Sequence, residues 1–334
     1  MGCFLSVRGD LLIKILRIFR GSLMMKSVRI LFLVILSSLV VPSVSVAAGL
    51  QPFVEGSTLS APLADADKTI QAKLVKGGFE VVGHYSPVKN VIVLSISSPA
   101  MLRTASQTPR GGYGAALSIS LEEHKGKTYV TYMNPPYVAA GYRLASDNES
   151  VAKALAGILG AEKTFGAKPR TVEQLANYQY GFGMETFNDP VDLGGYPGFS
   201  TGEQKILSRL AAKKDGVGLV YKIKIPGKDQ EVFGVDLSGV KDNNANGVAL
   251  VDAIDSGMPH RYAFLPYEVL LNNKEAEALN LRFRMALFFP DLPMMGSDAS
   301  FFKLRSSPDA IKKVLQKAMG GALVTNSDNG FGGF

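Results

Sequence analysis

The sequence predicts an α+β protein of two tandem strand-helix-four-strand-helix modules, each an antiparallel sheet with its main helices on one face. Three observations carry this prediction. First, one helical stretch occurs twice: residues 146–160 read SDNESVAKALAGILG and residues 306–320 read SSPDAIKKVLQKAMG. Val151, Ala154, Leu155, Ile158 and Leu159 in one copy, and Ile311, Val314, Leu315, Ala318 and Met319 in the other, set a single apolar stripe on a helix face. Each copy opens on Ser, carries an acid in its first turn (Glu149, Asp309) and closes on Gly (Gly160, Gly320), so start, stripe and stop recur in register. Second, each repeated helix follows pairs of alternating or wholly apolar runs joined by turn residues. Third, matched prolines and serines lie steadily further apart along the chain, from Pro87/Pro226 through Pro109/Pro259 and Pro135/Pro290 to Ser146/Ser306. Loop insertions between repeated elements produce such a drift.

In chain order, residues 51–56 form a short strand and residues 67–76 a helix with Ile70, Leu74 and Val75 on one face, stopped by Gly77-Gly78. Residues 79–84 and 91–96 read as strands, residues 99–106 as a short helix, and residues 115–123 and 128–133 as a hairpin. Asn134-Pro135-Pro136 breaks the last strand before the repeated helix. The second half gives a strand at 182–187, a Gly/Pro loop at 194–202, a helix at 201–212, strands at 219–225 and 231–237, and a helix at 247–254. A strand pair at 262–271 and 279–289 precedes the closing helix. The domain reading is a leader at 1–48, a first module at 49–160, a linker at 161–180 with a helical turn near 172–176, a second module at 181–320 and a Gly-rich tail at 321–334.

Charge and composition exclude several classes. The formal charge is +7, but Arg8, Lys14, Arg17, Arg20, Lys26 and Arg29 against Asp10 alone place most of it in the leader. The remainder lacks the basic footprint of a nucleic-acid binder. Lys26 and Arg29, then ILFLVILSSLVV, Pro42 and SVSVAAG form a secretory signal, the alternative being an uncleaved membrane anchor over residues 30–46, with translation beginning at Met1, Met24 or Met25. The expected location is periplasmic or secreted, with no membrane span once the leader is cleaved. Cys3 is the single cysteine, so disulfides, thiolate chemistry and CxxCH haem attachment are ruled out beyond the leader. The phosphate-loop and GxGxxG motifs are missing, and no cofactor is expected.

The runs GFEVVGHYSP, VIVLSISSPAML and YMNPPYVAAGYRL, with the paired strands and closing helix, resemble the domain-of-unknown-function 302 family over residues 67–160. The second half is similar but more divergent, with FFPD where the first has MNPP. The resemblance implies a fold akin to that of the TATA-binding protein and small domains that pair, so a tandem copy implies an intramolecular pseudo-dimer. It implies no activity.

Several constellations are candidates for chemistry. Gly198-Phe199-Ser200-Thr201-Gly202 matches GxSxG, with His260 downstream for a serine hydrolase; the competing reading is a capping box between Ser200 and Glu203. Asp242, Asn244 and Asn246 before Gly247 match the first half of a calcium loop, without its closing Glu. His84, His124 and His260 share no metal-ligand spacing. Pro109-Arg110 with Tyr113, and Pro259-His260-Arg261-Tyr262, put a basic group and a tyrosine at the same place in both modules, a frame for an anionic ligand or a pair of turns. Residues 283–295 (FRMALFFPDLPMM) either mark a lipid, haem or partner surface or form a core strand followed by a loop; the core reading is preferred. The function expected is non-enzymatic binding of a small molecule or a protein partner. The alternatives are a serine hydrolase using Ser200 and His260, and a calcium- or haem-associated accessory to an exported redox system.

Overall fold

A computed structural model of the protein describes residues 49–323 apart from Ser256, Ser297 and Asp298. The leader at 1–48 and residues 324–334 of the tail lie outside the described residues. In the first half, Phe53–Glu55 (β1), Glu80–Tyr85 (β2), Val91–Ser97 (β3), Leu117–His124 (β4), Lys127–Met133 (β5) and Lys163–Phe165 (β6) make one antiparallel sheet, ordered β2-β3-β4-β5-β1-β6. Helix α1 (Leu63–Lys76) packs on this sheet through Ile70 and Leu74, beside α4 (Glu149–Leu159), which buries Val151, Leu155 and Leu159. Between them lie α2 (Pro99–Gln107), a 3-10 turn at Gly111–Gly114 and α3 (Pro135–Gly141). A short α5 (Val172–Ala176) follows, held by a capping box between Thr171 and Gln174.

The second half repeats this plan element by element. Val191–Gly195 (β7), Gly218–Lys224 (β8), Gln230–Asp236 (β9), Tyr267–Asn272 (β10) and Glu275–Ala278 (β11) are ordered β7-β11-β10-β9-β8, matching β1-β5-β4-β3-β2. Helices α6 (Phe199–Ala211) and α9 (Ser307–Met319) cover its face with Ile206, Leu210, Ile311, Leu315 and Met319. Both edge hairpins carry a bulge at the same place, between Val81 and Gly83 and between Leu219 and Tyr221. After each closing helix the chain returns to the first strand of its sheet. Glu162 N–H donates to Glu55 O at 2.8 Å, and Gly195 and Ala322 exchange bonds of 2.9 Å.

The face of each sheet away from its main helices meets the other half. The turn at Gly111–Gly114 sits on β9 and β10, while the 3-10 turn at Tyr262–Phe264 sits on β3, β4 and β5. The approach is close enough that a Cβ on Gly112 would collide with the Leu270 side chain. Edge strands β2 and β8 run beside one another. Among the described residues no helix is long and apolar enough to cross a membrane.

The structure departs from the sequence reading in five places, the first being that the strand expected at 262–271 begins only at Tyr267, after a 3-10 turn at Tyr262–Phe264. Residues 281–288 are not a strand but helix α8 (Leu281–Phe288), capped by the Asn280 side chain accepting from Arg282 N–H at 2.9 Å. Every residue of α8 except Arg282 is buried, so it shows no apolar period to tell helix from strand. Pro135 does not merely end a strand; it starts α3 at the position where a missing N–H costs nothing. The strand expected at 182–187 forms instead at Val191–Gly195, its last two residues taken from the stretch read as a Gly/Pro loop. Part of the expected linker is β6, which joins the first sheet. Helix α7 (Gly247–Asp252) falls where expected.

Candidate functional site

The predicted anion frame becomes a pair of clasps between the halves. Arg110 and Arg261 both lead into a 3-10 turn, so Tyr113 is matched by Phe264 and not by Tyr262. On one side, Gln230 Oε1 accepts from Gly112 N–H at 3.0 Å and its amide donates to Pro109 O at 2.8 Å. Arg110 Nε lies 2.9 Å from Glu277 Oε1, and the buried Tyr113 hydroxyl reaches the same carboxylate at 3.4 Å. On the other side, the backbone N–H and Nδ1 of His260 donate to Glu122 at 2.9 and 2.6 Å. Arg261 is bound to Asp255 at 3.0 Å and lies over the Phe289 ring at 4.1 Å, while the Tyr262 hydroxyl donates to Asp252 at 2.6 Å. Each basic group therefore already faces a carboxylate.

The other sequence candidates are separated. Ser200 is exposed in the first turn of α6, whose N-cap is Gly198, and Glu203 is paired with Lys222 at 2.9 Å, so the expected capping box does not form. No hydrogen bond joins Ser200 to His260, whose ring is held by Glu122. In the Asn-rich loop, Asp242 Oδ1 accepts from the Asn244 backbone at 2.9 Å, and Asn246 Oδ1 caps α7 by accepting from Val248 and Ala249 at 3.0 Å. These oxygens point into the loop's own backbone. Among the described residues no group of three His, Cys, Asp or Glu side chains is placed to hold a metal.

Between the sheets lies a buried polar cluster that sequence reasoning missed. Arg284 on α8 is 1% exposed and donates from Nη2 to the carbonyls of Phe264 and Pro266 at 2.7 and 2.8 Å. Its guanidinium lies over the rings of Phe264 and Tyr267, 4.3 and 4.8 Å from their centroids. Glu268 accepts from the Tyr221 hydroxyl at 2.9 Å; burial pushes its carboxyl up to about 7, against the pull of Arg284 and Tyr221. Burial likewise raises the Tyr113 and Tyr221 hydroxyls well above the usual phenol range. Sealed from solvent, the cluster joins the halves and offers no opening to a substrate.

An open groove lies elsewhere, lined by residues of the second half. This groove, of about 200 Å³, is lined by Met184, Leu281 and Met285 on one side and by Met294, Phe301, Phe302, Leu304 and Pro308 on the other, with Arg282 and Arg305 at its polar points. Met294, Phe301, Phe302, Leu304 and Arg305 of this lining come from the connection between α8 and α9, residues 289–306. The corresponding connection in the first half, residues 142–148, is less than half as long. Phe302 and Met294 are 52% and 44% exposed, so the lining is open to solvent. The sequence signal was the Met-rich end of residues 283–295, whose Phe283, Phe288 and Phe289 do belong to the core.

No protein-family model matches the chain, and no curated protein matches it. Among solved structures, it is similar to the crystal structure of an uncharacterised conserved protein DUF302 from Bacillus stearothermophilus. That match has 16% identity and a TM-score of 0.28, and covers 32% of this chain and 93% of the other. At those values it carries no argument about site or activity.

Proposed function

We propose that this chain is an exported, non-enzymatic binding protein, made of two copies of the domain-of-unknown-function 302 fold joined as an internal dimer, and that its second copy binds a small apolar ligand. The observation that supports this reading is the groove, part of whose lining comes from the longer connection between α8 and α9 in the second half. Long connections that form concave apolar surface are where a scaffold carries function. The internal-dimer part is supported by the matching sheet orders, the matching bulges and the reciprocal seating of the two 3-10 turns. Methionines suit such a site because their unbranched side chains repack around differing shapes.

Native mass spectrometry on protein purified from the exported fraction of its host tests the proposal. The expected result is a chain shortened by its leader and carrying a small organic molecule. Fluorescence of N-phenyl-1-naphthylamine, a neutral apolar probe, is expected to rise with the purified protein and to lose at least roughly tenfold in affinity in Met294→Glu. A bare mass together with no probe response overturns the ligand reading, and a retained leader overturns the exported one. A protein partner is the second reading, favoured by Met295 and Phe302, 66% and 52% exposed along the same connection.

A further inference from the structure

We infer that the groove takes an anionic amphiphile, a single acyl chain ending in a carboxylate, with its head at Arg305; this rests on the groove being the binding site. The two arginines at the groove are not equivalent. Arg282 is spent: its Nη1 lies 2.7 Å from Glu185 Oε1, and the Asn280 amide donates to the same oxygen at 3.3 Å. Arg305 has no carboxylate partner among the described residues. Its Nη1 donates to the Phe302 carbonyl at 3.2 Å, and its guanidinium lies over the Phe302 ring at 4.5 Å. That leaves most of its five donors facing outward, in a fork that fits a carboxylate with two parallel bonds.

The surroundings of Arg305 favour the same charge. Helix α9 begins at the groove with Pro308 in its lining, and Ser306 at its N-cap makes no side-chain bond to the free backbone N–H groups. The start of a helix carries partial positive charge, which Asp309 in the first turn of α9 offsets in part. Lys303 adds a further exposed cation in the adjoining turn. The rest of the lining is aliphatic, thioether and aromatic, with nothing to satisfy a second polar group along the ligand. An apolar body with one anionic end matches that distribution, and the modest volume suits one chain in preference to two.

The test displaces N-phenyl-1-naphthylamine from the mature chain with dodecanoate and with dodecanol, which share a chain and differ in charge. Dodecanoate is expected to displace at roughly tenfold lower concentration, and saturated carboxylates shorter than dodecanoate to weaken by about fourfold per methylene removed. Arg305→Gln is expected to shrink the preference for dodecanoate to within about twofold, and Arg305→Lys to keep part of it. Equal displacement by the two probes overturns the anionic head while leaving the groove as the binding site. Absence of probe binding, or probe binding unaffected by Met294→Glu, overturns the groove itself and this inference with it. A preference that survives Arg305→Gln places the head elsewhere and also overturns it.

Discussion

The two halves share a sheet order but not an interior. Across the first sheet, Gly83 stands opposite Ser95 and Ser95 opposite Ser118; across the second, Tyr221 stands opposite Gly234 and Gly234 opposite Glu268. A Cβ on Gly234 would run into the Tyr221 ring, so the large residue of one row occupies space left by the absent side chain of its neighbour. The helices that follow differ in the same way. Val138 bonds back to Asn134 as Arg284 does to Asn280, at 3.0 and 2.9 Å, yet one side chain is apolar and the other charged. In a dimer of identical domains each residue near the axis meets its own copy, so size and charge are limited by self-repulsion. In the proposed internal dimer that limit is lifted: the second half supplies Arg284, Glu268 and Tyr221, while the first supplies the small Ser95 and Ser118, the apolar Val138 and the buried Tyr113 and Tyr142.

The largest test of this asymmetry is Arg284→Ala beside Val138→Ala. Removing Arg284 leaves Glu268 buried without its cation and is expected to cost about 3–5 kcal/mol in urea unfolding. Removing two methyl groups at Val138 is expected to cost roughly 1–2 kcal/mol. Equal losses would break the comparison, and pairing Arg284→Met with Glu268→Gln should recover much of the larger one.

Acidity sharpens the same contrast at a somewhat smaller scale. The unfolded Glu268 releases its proton near the ordinary 4.5, whereas the folded one keeps it up to about 7. The contribution of this residue is therefore fully present below about 4.5, declines as pH rises to about 7, and is level above that. The decline amounts to about 3 kcal/mol. Comparing unfolding of the wild type with Glu268→Gln at pH 4.5, 6 and 8 isolates it; parallel profiles would show that the acid is not held neutral by burial.

The smallest effects separate two candidate caps. Asn246→Ala removes both the cap of α7 and the bonds from its amide to Ser238 O and Val240 O, with an expected loss of about 1–2 kcal/mol. Ser200→Ala, at an exposed position with no cap to lose, is expected to stay within about 0.5 kcal/mol by thermal unfolding. A loss near 1 kcal/mol at Ser200 would restore the capping box.

What the sequence disclosed follows from periodicity. The stripes of α4 and α9 are set by one buried and one wet face, so they can be read without coordinates; β4 alternates apolar residues with Ser118 and Ser120 although both of its faces are buried. Helix α8 has no wet face, and its cap at Asn280 was the readable sign. Strand β7 was hidden because Gly194 and Gly195 suggest a loop, although Gly194 has φ of 112° and sits against the Gly321 backbone. The steady drift between matched prolines was partly illusory. Asn134 and Asn280 are the true counterparts, since the β10–β11 hairpin is shorter and the large insertion follows it. The groove was legible only through Met285 and Met294 in the run 283–295, because the rest of its lining comes from the loop before β7, other residues of α8, a 3-10 turn and the start of α9. The clasps were half legible: Arg110, His260 and Arg261 were singled out, but only the fold reveals Glu122, Gln230 and Glu277 opposite them.

The seating of the turn at Tyr262–Phe264 on the first sheet has a consequence in time. A ribosome finishes β2 to β5 long before it reaches the residues that cover their inner face. Until β9, β10 and that turn have been made, the row at Ser95 and Ser118 and the apolar residues beside it remain wet, a state prone to sticking to other chains. A nascent first half must be shielded, kept loose, or joined quickly by the rest. Its strands are all made by Phe165, but the turn that covers its inner face is not made until Phe264.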